Sequence, residues 1–209
     1  TLLLFVAILA MTTQAQNVAI PDTNFKAILL ADTTINLNKD TEIQVSEAAA
    51  FNGALNIGGE NIADLKGIEA FVKLRELNCY NNPITSLNLT ASPDLRTLYC
   101  YNTSLTSIDL TGLSVLRTLY CTGTNLTKLD VSSLIGLTGL YCSSNSIDTI
   151  DITGLTNLST LSCHHNALTS LTIGQAPNLE ILACYENSLS NLTINNLPKL
   201  KTIDCRNNL

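Results

Sequence analysis

Four sets of residues in this 209-residue chain have side chains able to do chemistry at a meaningful spacing. The first is sulfur: Cys79, Cys100, Cys121, Cys142, Cys163, Cys184 and Cys205 recur every 21 residues. Regular thiols can pair as disulfides, hold a soft metal, or serve as small apolar filler. The second is oxygen: Asn36, Asn38, Asp40, Glu42 and Glu47 crowd into one short run, hard donors of the kind a divalent cation takes. The third is aromatic and basic: Tyr80, Tyr99, Tyr101, Tyr120, Tyr141, Tyr185, the histidines His164 and His165, and Arg206. The fourth is a row of acids one period apart, Asp109, Asp130 and Asp151.

What must position these groups is a repeat. Leu95, Leu98, Cys100, Leu105, Ile108 and Leu110 make one copy, and Leu137, Leu140, Cys142, Asn145, Ile147, Ile150 and Ile152 another. The pattern resembles the leucine-rich-repeat consensus, with Cys at the third core position. That resemblance implies an α/β solenoid, a right-handed superhelix with a parallel concave β-sheet. Six full copies span residues 74–199 and a partial one residues 200–209, after an atypical first turn at residues 53–73. In that first turn Gly58 stands near the cysteine position. Within a copy, alternation turns Leu98 and Cys100 to one face of a short strand, and neighbouring copies must stack to bury that face. Asn82, Asn145, Asn166, Asn187 and Asn208 form one column, with Thr103 and Thr124 standing in, and are expected to satisfy backbone groups where the chain leaves the strand. The far side has too few residues for a helix, so extended segments or short 3₁₀ turns are expected around Leu87-Asn88-Leu89 and its equivalents.

The repeat decides between the three uses of sulfur. In-register cysteines point the same way, against the disulfide torsion near 90°. One thiol per turn also gives no convergent tetrahedral metal set. A reduced, buried thiol ladder is the expectation.

Ahead of the repeats, residues 1–15 read as a signal peptide cut at Thr13-Gln14-Ala15 and lacking its basic start. Its apolar run is too short to span a bilayer, so no transmembrane segment is expected in the mature chain. Residues 16–52 read as a helical cap for the open end of the solenoid, with one helix starting after Asp22 and carrying Phe25, Ile28 and Leu29. A second helix is expected over residues 45–55. The run from Asn36 to Glu47 between them resembles an EF-hand loop, making Asn36, Asn38, Asp40, Glu42 and Glu47 a candidate calcium set. It departs from the motif with Asn at the first position and Thr41 in place of the turn glycine. Together with Ile20-Pro21-Asp22-Thr23-Asn24-Phe25-Lys26, Asp64-Leu65-Lys66-Gly67-Ile68-Glu69-Ala70-Phe71 and the repeats, it is similar to secreted leucine-rich-repeat proteins of Bacteroidetes and to the internalin group. That resemblance implies a secreted or cell-surface binding protein. The family's sorting domain has no counterpart here, and the chain stops within a repeat, which reads as a fragment.

A formal charge of −6 argues against nucleic-acid or anionic-membrane partners, which need a basic stripe. On the solenoid, the positions just before and just after each cysteine face the concave side. That places Tyr80, Tyr99, Tyr101, Tyr120, Tyr141, His164, Tyr185 and Arg206 in two adjacent columns, a candidate surface for a protein or glycan ligand. Cross-strand stacking that only stabilises the sheet is the plainer reading of the same tyrosines. The functional expectation is a non-enzymatic extracellular binding or adhesion module. The alternative is a structural spacer, and a remote one is hydrolase-like chemistry at His164, His165 and Glu186.

Overall fold

The computed structural model describes residues 15–209, so the leader read over residues 1–15 lies, apart from Ala15, outside the described residues. Among the described residues two short helices precede the repeats: α1 (Thr23–Ala31) and α2 (Val45–Ala50). Helix α1 begins where Asp22 Oδ1 accepts the amides of Asn24 and Phe25, and it buries Phe25 and Leu29. The second oxygen of Asp22 accepts the amides of Ala63 and Asp64, at 2.8 and 3.2 Å, so one carboxylate both caps the helix and ties it to the first turn. Gly67, at φ 105°, brings that turn against the cap: a Cβ there would lie 2.8 Å from Ile20 Cγ1.

Helix α2 ends five residues before its expected limit. The chain turns extended at Phe51, and residues 54–56 form a strand whose Leu55 faces the core opposite Leu77. A period of 2 displaces the helical stripe here because pairing with the next turn satisfies the backbone while Leu55 is buried. This strand, β1 (Ala54–Asn56), opens an eight-stranded parallel sheet. It continues through β2 (Glu76–Asn78), β3 (Thr97–Tyr99), β4 (Thr118–Tyr120) and β5 (Gly139–Tyr141) to β7 (Thr160–Ser162), β9 (Ile181–Ala183) and β10 (Thr202–Asp204). Register is constant: Leu77 pairs with Leu98, Leu98 with Leu119, and Leu119 with Leu140. With that register Ile57, not Gly58, takes the cysteine position of the first turn, and it is fully buried.

The far side is extended, with a 3₁₀ turn at Ile68–Ala70 and, in two turns, a second small sheet of β6 (Thr149–Asp151) and β8 (Ser170–Thr172). Between the two sides runs one continuous core of leucine and isoleucine columns with Cys79 to Cys184 at 0% exposure. All seven cysteines are free thiols, and only Cys205, in the last turn, is exposed. Burial pushes the thiols of Cys79 and Cys121 up to about 12 and that of Cys184 up to about 11, which keeps them protonated and inert.

The asparagine column closes each turn. Asn166 Nδ2 donates to the carbonyls of Cys142, Cys163 and His164, and its Oδ1 accepts the amide of Ile147 at 3.0 Å. Asn82, Asn145, Asn187 and Asn208 repeat the scheme. Thr103 and Thr124 keep only part of it, the bond to the cysteine carbonyl of their own turn.

A tyrosine-lined candidate binding face

Strands β2, β3, β4 and β7 each bury their middle leucine and leave their flanks half-exposed on the concave side. In-register stacking then aligns identical flanks. Tyr99, Tyr120 and Tyr141 stack with ring centroids 5.0 and 4.0 Å apart, the second pair within 1° of parallel. In the adjacent column Tyr80 and Tyr101 stack at 4.7 Å and 2°. Gly58 makes room for them, since a Cβ there would lie 2.5 Å from the Tyr80 ring. Between the columns lies a groove of about 470 Å³ lined by Asn78, Tyr80, Tyr99, Tyr101, Tyr120 and Thr122. Rings packed face to face offer a ligand mostly edges and hydroxyls. Burial, with the Tyr141 hydroxyl and the neighbouring phenols beside it, pushes Tyr120 up to about 12, so its hydroxyl stays protonated across the physiological range.

The other end of the face is polar. His164 stacks on Tyr185 at 4.3 Å and 6°, and the Arg206 guanidinium carbon lies over the Tyr185 ring, 5.9 Å from its centroid. Arg206 is also held by Asp204 through two bonds of 2.9 and 2.8 Å. His165 Nδ1 meets Glu186 Oε2 at 2.6 Å. Both His165 and Glu186 sit in left-handed backbone, φ 52° and 53°, at a position where Asn81, Asn102 and Gly123 stand in earlier turns. Desolvation, with His165 alongside, lowers the pKa of His164 below the ordinary value, against the opposing pull of Glu186 and Asp204. An imidazole oriented by a carboxylate is half of an acid–base arrangement. Among the described residues the buried Nδ1 of His164 has no hydrogen-bond partner, while Nδ1 of His165 has Glu186.

The oxygen-rich loop of the cap is closed by its own hydrogen bonds. Glu47 Oε1 accepts the amides of Leu37 and Asn38, and its Oε2 that of Gln44. Asp40 accepts the amide of Glu42 and the side-chain amides of Asn38 and Gln44. Glu42 turns away to Lys26, at 2.8 Å. Within this loop Asn36 Oδ1 is left buried without a partner. Calcium takes six to eight oxygens, and with the Glu47 and Asp40 carboxylates taken up by N–H donors and Glu42 turned away to Lys26 the residues as arranged do not offer such a set. On the convex side Asp109, Asp130 and Asp151 each accept the amide two residues on, at 2.9, 2.9 and 2.8 Å. The amide and hydroxyl of Thr111 hold Asp109, and the hydroxyl and amide of Ser132 hold Asp130, below the usual carboxylate range. Each acid closes its own turn, which accounts for the column without a shared ion.

One column escaped the sequence reading. Arg75, Arg96 and Arg117 lie at the same position of three successive turns, just ahead of the strands, and all three are exposed. The signal was present as the 21-residue spacing. Strand alternation extrapolated backwards, however, assigns the position to the interior, and the chain's turn exposes it instead.

A family model for the leucine-rich-repeat domain of the endo-β-N-acetylglucosaminidase EndoS matches residues 32–145. No curated protein sequence matches the chain. Among solved structures, the functional domain of InlJ from Listeria monocytogenes, described as including a cysteine ladder, is similar at 32% identity and TM-score 0.71 over 93% of this chain. The chain spans 48% of that structure's length. Internalin C2 of the same organism is similar at 23% identity and TM-score 0.66, over 92% of this chain and 98% of its own. A leucine-rich-repeat protein of Leptospira interrogans shares the fold at 23% identity and TM-score 0.65, over 74% of this chain and 42% of its own.

Proposed function

Since the chain belongs to the leucine-rich-repeat domain family, we propose that it is a non-enzymatic, extracellular binding module whose concave tyrosine face takes a protein ligand. The observation that carries this is the confinement of all six tyrosines to two adjacent columns beside an open groove. Tyrosine presents a large, stiff contact area with a polar tip and loses little rotamer entropy on binding. Stacking supports a protein ligand over a sugar, because a sugar ring needs a free aromatic face and most faces here are taken up by neighbouring rings. The extracellular placement rests on the leader read at residues 1–15 and suits a core whose thiols are too buried to be oxidised.

The test is a screen of arrayed purified extracellular proteins and glycans with the intact chain, repeated with the Tyr99→Ser/Tyr120→Ser/Tyr141→Ser variant. A protein hit that weakens about tenfold or more while circular dichroism shows an intact sheet supports the reading. Hits indifferent to the three substitutions would sink it and leave the repeats as a spacer.

A further inference from the structure

We propose that the partner presents an extended acidic segment, whose carboxylates lie along the Arg75, Arg96 and Arg117 column while a flanking apolar side chain enters the tyrosine groove. This deepens the protein-binding reading and rests on it.

The column is unusual for this chain. Three of its four arginines occupy one position in three consecutive turns of a protein whose formal charge is −6. Their backbones are linked directly, Arg96 N–H to the Arg75 carbonyl and Arg117 N–H to the Arg96 carbonyl, both at 2.8 Å. The guanidinium groups therefore start from a pitch of about 4.8 Å, close enough to repel. Among the described residues none of the three forms an ion pair, although Glu76 and Asp94 belong to the same turns.

The same column supplies its own control. In the next two turns it carries Thr138 and Ser159, and in the two after that Glu180 and Lys201, which meet at 2.7 Å. Side chains at this position can reach the next turn, as that pair does, and the arginine column has no acid at its own position in an adjoining turn. Three cations without a counter-charge leave their forks free for carboxylates, which guanidinium binds through two parallel hydrogen bonds.

Position selects the rest of the partner. The three turns that hold the arginines also hold Tyr80, Tyr99, Tyr101 and Tyr120 of the groove. The arginines stand just ahead of the strands whose far ends carry the groove tyrosines, about 10 Å along the sheet. A chain lying between the two rows could turn carboxylates to one and apolar side chains to the other, as an extended peptide alternates them. The three arginines span about 10 Å, the reach of two or three alternate carboxylates on such a strand. A polyanion without apolar groups would use the cations and leave the groove empty.

The probe is a labelled peptide alternating glutamate with phenylalanine, with two companions in which serine replaces either the glutamates or the phenylalanines. Binding is read by fluorescence anisotropy on the full chain, on the Arg75→Gln/Arg96→Gln/Arg117→Gln variant, and on Tyr99→Ser/Tyr120→Ser. The expected result is binding of the parent peptide that weakens with salt and falls about tenfold or more with either companion or either variant. The glutamine variant should melt no lower than the parent protein, since like charges have been removed. Equal binding of the glutamate-free companion, or indifference to the glutamine substitutions, would overturn the acidic segment while leaving a tyrosine-dependent protein hit standing. Binding of heparin or single-stranded RNA that needs the arginines but not the tyrosines would overturn it in favour of another class of polyanion.

Discussion

Replacing Tyr120 with serine removes the middle ring of the Tyr99–Tyr120–Tyr141 stack and both of its aromatic contacts, at 5.0 and 4.0 Å. An aromatic pair contributes about 0.5–1.5 kcal/mol beyond the area it buries, so two pairs amount to roughly 1–3 kcal/mol. Tyr141→Ser breaks only one pair and should cost about half as much. Tyr120→Phe keeps both stacks and should stay within about 0.5 kcal/mol of the parent. The assay is urea unfolding followed by far-ultraviolet circular dichroism, with the slope of free energy against urea as a check that the surface exposed on unfolding is unchanged. If Tyr120→Ser and Tyr141→Ser cost the same, or neither exceeds about 0.5 kcal/mol, the rings do not support one another and the stability argument fails. The outcome matters for function too, because a binding loss in the serine variants counts only at temperatures where these measured costs leave the fold intact.

Four further outcomes follow from the geometry. Asn166→Ala strips three carbonyls and the Ile147 amide of their partner and should cost about 2–4 kcal/mol in urea unfolding, with Asn166→Thr intermediate because Thr103 and Thr124 retain one of the bonds; equal stabilities would refute the capping role. Buried thiols have folded-state pKa values raised above their ordinary 9.0, so the folded chain holds protons that the unfolded chain releases; stability under reducing conditions should be complete below pH 9.0 and decline as pH rises toward about 12, less steeply in Cys121→Ala. For Asp22, burial raises the pKa but four backbone amides outweigh it and leave it below 3.8; the stability it contributes is present above that pH and lost as pH falls through the lower folded value, and Asp22→Ala should cost about 2–3 kcal/mol at neutral pH and little in acid. Adding calcium or a chelator should leave the melting temperature unmoved, whereas a calcium-dependent rise would show that the Asn36–Glu47 loop rearranges to bind it.

Much of this molecule was legible from a single spacing. Because each turn buries the same Leu and Cys positions, the 21-residue period set the register, and the register put Tyr99, Tyr120 and Tyr141 on one face. What the spacing did not carry was the choice each polar group makes among near-equal partners. Glu47 lies where a calcium ligand would, yet three backbone amides reach it first. The stretch after Ala50 has apolar residues at both helical and strand spacings, and pairing with β2 decides for the strand. Arg75, Arg96 and Arg117 were visible as a period but not as a surface, since exposure there depends on where the chain bends into the strand. His165 and Glu186 likewise sit in a left-handed column that only the backbone reveals.

The gathering of every tyrosine onto the concave side also makes the protein its own spectroscopic reporter. The chain has no tryptophan, so its near-ultraviolet emission arises wholly from the six rings of that face. Rings stacked 4–5 Å apart exchange excitation, which depolarises the emission of the free protein. A ligand that settles among them changes intensity and polarisation together, while one that attaches to the convex side or the cap leaves both unaltered. Occupancy of the face can therefore be followed on the unlabelled chain, turn by turn, as single tyrosines are replaced by phenylalanine.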